Sequence, residues 1–158
     1  MAQVTGGMAV SIFKLEVSAA GTTWTDISGA AASIQNSGGD VLVGEQMTAD
    51  GEEAIVVTSN KMAPRDLTFS IVYTEGASDG FKVLWDLYQG ASKKVFVRWS
   101  PTGGAATTKR YVTAVAGTAA AAMITGCKLP DHDAGSGDVA LAEFTVKTAG
   151  ILEETISA

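Results

Sequence analysis

The chain has 158 residues, enough for one domain with a sizeable buried core. Its formal net charge is −6 and only 18% of its residues are charged, which excludes a protein that grips nucleic acid through a clustered basic surface. Cys127 is the only cysteine, so an internal disulfide is excluded as well.

In chain order, the N-terminus MAQVTGGMAV lacks the basic region and apolar core of a signal peptide. Met8–Val17 is a strand candidate from its β-branched and aromatic content, and Gly21–Thr23 turns the chain. Trp24–Gln35 is a softer strand, with a bulge or kink expected at Ser28-Gly29. Asn36–Pro64 is Gly-rich and lacks clear alternation, but strand-like pieces at Val41–Met47 and Ala54–Thr58 flank Asp50-Gly51, a two-residue hairpin signal. The region reads as a long excursion built on a hairpin. In Asp66–Glu75, Leu67, Phe69, Ile71 and Tyr73 point one way, and Thr68, Ser70, Val72 and Thr74 the other.

Ser78–Gln89 breaks the two-residue period. Phe81, Leu84, Trp85 and Tyr88 fall at i, i+3, i+4 and i+7, the spacing of one helical face. Ser78 or Asp79 is placed to cap the helix and Gly90 to stop it. Lys93–Trp99 is the next strand, with Val95, Val97 and Trp99 on one face and Lys94, Phe96 and Arg98 on the other. A turn at Pro101–Gly104 leads to an antiparallel return over Lys109–Ala116. Ala120–Leu129 is a further strand, Pro130–Gly137 a polar turn, and Asp138–Thr148 a long strand with Ala140, Ala142, Phe144 and Val146 on one face. Ile151–Ile156 closes the series. The alanine-rich run Ala114–Gly126 is too short to span a bilayer, so no membrane insertion by the chain itself is expected. The expected architecture is mainly β: an antiparallel sandwich or barrel with one flanking α-helix at about residues 78–89. One domain spans 1–158, with an N-terminal arm 1–8, the excursion 36–64 and a C-terminal arm 151–158.

The residues offer little chemistry. His132 is the only histidine and lies in a turn between Asp131 and Asp133. The stretch DHDAGSGD fails the calcium-loop pattern, with Ser136 where Gly is required and Ala142 where the bidentate Glu belongs. One His and one Cys cannot complete a zinc site. No phosphate-cradling loop or nucleophile elbow is present. No catalytic residue, metal site or cofactor is predicted, and the chain does not read as an enzyme.

Charge order is more informative. From Asp40 to Glu53 the chain carries Asp40, Glu45, Asp50, Glu52 and Glu53 and no base. From Lys93 to Lys128 it carries Lys93, Lys94, Arg98, Lys109, Arg110 and Lys128 and no acid. Acids return afterwards, ending with Glu153 and Glu154. These stretches are either solvated surfaces or complementary patches that meet between copies of the chain.

Four features together resemble the tail tube (major tail) proteins of long-tailed bacteriophages. They are Trp-Thr-Asp-Ile-Ser at Trp24–Ser28, the excursion Asn36–Pro64, FKVLWDLYQG at Phe81–Gly90 followed by KVFVRW, and Gly137–Gly150 with its long strand ending in Thr-Ala-Gly. The family is similar in fold to the type VI secretion tube protein. The resemblance implies a structural virion protein that self-assembles into hexameric rings, stacked as a hollow conduit for DNA. It implies partners among copies of itself and other tail proteins (tape measure, terminator and tail tip), with DNA passing non-specifically through the lumen. It implies localisation in the virion after assembly in the host cytoplasm. On that reading Lys93, Lys94, Arg98, Lys109, Arg110, Glu153 and Glu154 are assembly-interface candidates. Asp40, Glu45, Asp50, Glu52 and Glu53 are lumen candidates, and Phe81, Leu84, Trp85 and Tyr88 anchor the helix. Two alternatives stand beside it: a monomeric carbohydrate-binding β-sandwich using Trp24, Trp85 or Trp99, and another tail-end or decoration protein of the same fold.

Overall fold

Alternating apolar residues turn most of this chain into strands. The structure, a computed structural model, describes residues 12–131, 135 and 137–158; the N-terminal arm, His132 and much of the polar turn around it lie outside that range. The strands are β1 (Lys14–Ser18), β2 (Thr25–Asp26), β3 (Ala31–Gly38), β4 (Val41–Gln46), β5 (Ile55–Met62) and β6 (Arg65–Val72). After helix α1 (Gly80–Gln89) come β7 (Lys94–Ser100), β8 (Lys109–Val115), β9 (Thr118–Ala119), β10 (Ala122–Lys128), β11 (Leu141–Thr148) and β12 (Gly150–Thr155).

One layer runs β3-β6-β11-β10 and the other is built on β1, β7, β8 and β12, every pair antiparallel. β7 belongs to both, because Val95 pairs with Ala122 of β10 while Arg98 and Trp99 pair with β8. The architecture is a β-sandwich with a flanking helix. It is not a closed barrel, since β12 and β3 end the strand path without pairing to each other. β4 and β5 form a separate two-stranded sheet.

The core follows the period-2 pattern. Leu67, Phe69 and Ile71 of β6, Val95 and Val97 of β7, and Ala142, Phe144 and Val146 of β11 are fully buried. Each of the larger side chains contributes about 1.5–3 kcal/mol by leaving water. Phe69 lies directly opposite Phe144 across the β6–β11 ladder. The helix covers this layer with Phe81 and Leu84, and Trp85 and Tyr88 pack at its margin. Phe81 holds the aromatic cluster together, with ring centroids 4.7 Å from Tyr73, 5.8 Å from Phe144 and 5.9 Å from Trp85. Gly80 lets the helix start close to the preceding turn, because a Cβ there would stand 3.0 Å from that of Ala30.

Several local expectations are corrected. Trp24–Gln35 is not one strand with a bulge. β2 pairs with β1 in one layer, the chain turns at Ile27, whose carbonyl accepts from Ala30 and Ala31 N–H, and β3 enters the other layer. The Ser28 hydroxyl accepts from Leu15 N–H at 2.8 Å and the Asp26 carboxylate accepts from Ser28 N–H at 2.9 Å, so side chains satisfy the backbone where the ladder is interrupted. Asp79 stands at the N-cap but its carboxylate accepts no cap hydrogen bond. Gly90 leaves the helix in extended conformation (φ −58°, ψ 149°) rather than as a left-handed cap, and Lys93, at φ 50°, makes the reversal. Asp50-Gly51 is not a two-residue turn: Gln46 pairs with Ile55, so the hairpin loop spans 47–54.

Leu84 has no exposed surface. Leu84→Ala should lower unfolding free energy by about 2–5 kcal/mol in a urea titration, and Leu84→Asp should yield no cooperative transition, because it buries an unpaired charge under the helix.

Candidate assembly surfaces

The β4–β5 hairpin is the feature that an isolated subunit does not explain. VLVGEQ and IVVTSNKM are apolar and β-branched, so they form strands. Val43 stands opposite Thr58, Gly44 opposite Val57, and Glu45 opposite Val56. Val41, Val43 and Val56 therefore lie on one face, and Leu42, Ile55 and Val57 on the other, so both faces are apolar. Yet every residue from Asp40 to Met62 is exposed; Val56 and Val57 each keep 60% of their surface in water. A two-stranded sheet is marginal by itself in water, and contiguous exposed apolar surface marks a contact site. At the root, Gly38 and Gly39 take φ of 79° and 80°, open to glycine, and a Cβ on Gly38 would strike the Pro64 carbonyl at 2.5 Å. All five acids, Asp40, Glu45, Asp50, Glu52 and Glu53, are exposed here.

The basic stretch is distributed differently from what its sequence order suggests. Arg98 donates from two nitrogens to Glu16, at 2.6 and 3.1 Å, and its guanidinium lies 4.1 Å from the centre of the Trp24 ring. Lys109 pairs with Glu153 at 3.0 Å and Arg110 with Glu154 at 2.8 Å, across the β8–β12 ladder. Lys93 donates to the Tyr88 carbonyl at 2.9 Å and sits over that ring. Lys94 is exposed and has no ion pair among the described residues. Four of the seven interface candidates, Lys109, Arg110, Glu153 and Glu154, are thus brought together within one chain, and Arg98 is held by Glu16. Burial would raise the Glu16 carboxyl, but hydrogen bonds and charge from Arg98 and Lys14 outweigh it and hold that group below the ordinary glutamate range.

A further surface escapes charge-based reasoning. On the outer face of β3-β6-β11 the cross-strand rows are Ser33–Ser70–Glu143, Gln35–Thr68–Thr145 and Ser37–Asp66–Lys147. Lys147 is paired with Asp66 at 3.1 Å. The result is a face mainly of hydroxyls, with the amide of Gln35, the exposed carboxylate of Glu143 and a neutralised cation. Its signal was present in the Thr68, Ser70 alternation.

Among the described residues no group of three His, Cys, Asp or Glu could hold a metal ion. Burial pushes the Cys127 thiol pKa up, away from the reactive range. Among the described residues no helix is long and apolar enough to cross a membrane. The three tryptophans do not form one platform: Trp24 lies under Arg98, Trp85 stacks on Phe81, and Trp99 packs beside Tyr111.

No protein-family model matches the chain, and no curated protein matches it significantly. Solved structures do. The SPP1 tail tube matches with a TM-score of 0.70 at 13% identity, over 96% of this chain and 81% of that one. The sheath/tube terminator of an extracellular contractile injection system (PVC) matches with a TM-score of 0.64 at 18% identity, over 97% and 100%. A chain from the tail of an empty GTA particle, refined helically with C6 symmetry, matches with a TM-score of 0.57 at 10% identity, over 96% and 100%. The fold is that of tail tube proteins. This tail tube fold accounts for the sandwich and flanking helix together, since each match covers nearly the whole chain.

The Glu16–Arg98 pair has a definite pH signature. A depressed folded-state pKa gives stability that is complete above the unfolded value and is lost as pH falls through the folded one. Glu16→Gln should therefore cost about 2 kcal/mol near neutral pH, and the gap from the parent should begin to narrow only as pH falls below the ordinary glutamate pKa of about 4.3, as read by denaturant titrations at a series of pH values.

Proposed function

We propose that this chain is a structural virion protein that assembles with copies of itself into hexameric rings, stacked as a hollow tail tube through which DNA passes during ejection. The observation that carries the reading is the β4–β5 hairpin, a long apolar element exposed on both faces and suited to contact another copy. The likeness in fold to tube and terminator chains from three tail particles supports it, and the C6 symmetry of the GTA tail supports six copies per ring. The natural partners are copies of the chain and the tail proteins at each end, including terminator, tape measure and tail tip. The place of action is the virion, after assembly in the host cytoplasm.

A DNA conduit needs a wall that does not hold phosphates. Fixed cations would bind the backbone and release counterions. The hydroxyl face of β3-β6-β11, with Lys147 already paired to Asp66, meets that need. The acids Asp40, Glu45, Asp50, Glu52 and Glu53 add repulsion where they reach the bore. Of the basic residues, exposed Lys94 and surface Lys93 are best suited to a neighbouring copy, whereas Arg98, Lys109 and Arg110 have partners in their own chain. The rival role is that of a terminator, which the similarity to the sheath/tube terminator favours; a terminator forms one ring and stops.

Purified protein in negative stain should show tubes with a central channel over some range of salt and concentration. Isolated single rings would favour the terminator role, and dispersed monomers throughout would overturn the proposal. Val43→Asp and Val57→Asp should abolish tubes while changing unfolding free energy by no more than about 0.5 kcal/mol, as expected at exposed sites. Lys94→Glu should likewise weaken assembly more than folding, and Arg98→Glu should do the reverse; each is read by sedimentation beside thermal melting.

A further inference from the structure

The unclosed edge of the sandwich is not flat. Between β3 and β12 lies a trough of about 340 Å³, lined by Ile34, Trp99, Tyr111 and Ile151 together with Asn36, Arg65 and Glu153. A second hollow of about 400 Å³ continues it past Ile34 and Trp99 to Phe13. We infer that this trough is the socket for the β4–β5 hairpin of a second copy. The inference rests on the self-assembly reading and assigns the surface that receives the hairpin.

Four observations converge on that occupant. The floor is apolar and aromatic, with Trp99 and Tyr111 rings 5.7 Å apart, and matches a hairpin whose valines and isoleucine have no cover. The hairpin does not fill the trough of its own chain, because Asp40–Met62 is exposed throughout. Among the described residues β3 and β12 each keep one unpaired edge, whose N–H and C=O groups can accept an added strand. Charge agrees as well: Glu153 in the lining is already paired to Lys109 at 3.0 Å, Arg65 has no ion pair among the described residues, and the segment from Asp40 to Glu53 brings only acids. Hairpin and trough are different patches, so their contact is heterologous and propagates from copy to copy.

Cross-linking tests it. In a Cys127→Ser background, Val43→Cys is placed on one chain and Ile151→Cys on another. The two are mixed, assembled and oxidised with copper-phenanthroline. A mixed dimer on a non-reducing gel, at least several-fold above that from Val43→Cys mixed with Thr145→Cys on the hydroxyl face, is the expected result. Tubes without the mixed dimer, or with equal yield at Thr145→Cys, overturn the socket and leave the tube reading intact. Absence of tubes from the parent chain overturns both. Should Ile151→Cys fail to fold, Ala32→Cys, exposed on the same trough, takes its place with the same expected and contrary outcomes.

Discussion

The contact between Phe69, Phe144 and Phe81 is the constraint on which the rest of the structure depends. Phe69 and Phe144 face each other across the centre of the β6–β11 ladder, and Phe81 brings the helix onto Phe144. A ten-residue helix is too short to be stable by itself; it exists because its apolar face has this layer to cover. With the helix in place the interior is shielded without closing the sheets. A barrel would have satisfied the edges of β3 and β12 within one chain and removed them from use. The helix allows a folded subunit whose edges remain open.

Edges left open are ordinarily a hazard, since any strand can add to them. Here the specificity comes from what surrounds them. The trough beside β3 and β12 has an aromatic floor, with Glu153 already paired to Lys109 and Arg65 without an ion pair among the described residues, so the proposed socket would favour an apolar and acidic strand. The hydroxyl rows on β3-β6-β11 lack the apolar area to attract one. β12 itself is fastened to β8 by exposed Lys109–Glu153 and half-buried Arg110–Glu154, pairs that near the surface are weak one at a time but which fix the register of the edge strand.

Much of this was legible in the sequence, and the parts that were not have physical reasons. The strict alternation in β6, β7 and β11 and the helical spacing of Phe81, Leu84, Trp85 and Tyr88 identified elements and core faces, because one buried face imposes a period. The switch of the chain between layers at Ile27–Ala30 was not legible, because Asp26 and Ser28 replace ladder hydrogen bonds through side chains and the residues read as an ordinary interrupted strand. The intrachain pairing of the basic stretch was hidden by distance along the chain: Arg98 meets Glu16 and Arg110 meets Glu154 only after β1 and β12 flank β7 and β8. The trough was invisible for the same reason, since Ile34, Trp99 and Ile151 come from three distant strands. The hairpin was legible as a hairpin, but not its complete exposure, which depends on the glycine pivot at Gly38-Gly39.

If the chain assembles as proposed, that exposure couples folding to assembly. A hairpin with apolar residues on both faces gains little by folding alone, since its side chains stay in water and its backbone entropy is still lost. In the proposed assembly, burial against a second copy would supply the missing term, and the hairpin's final order would belong to the assembly rather than to the subunit. The sandwich does not share this dependence, because its core is complete within one chain. The division would suit the proposed role, in which a subunit stays separate until it meets the growing end of a polymer. On that proposal the stable part carries the surfaces that receive, and the marginal part carries the element that is received. Growth would then order each new hairpin as it is covered.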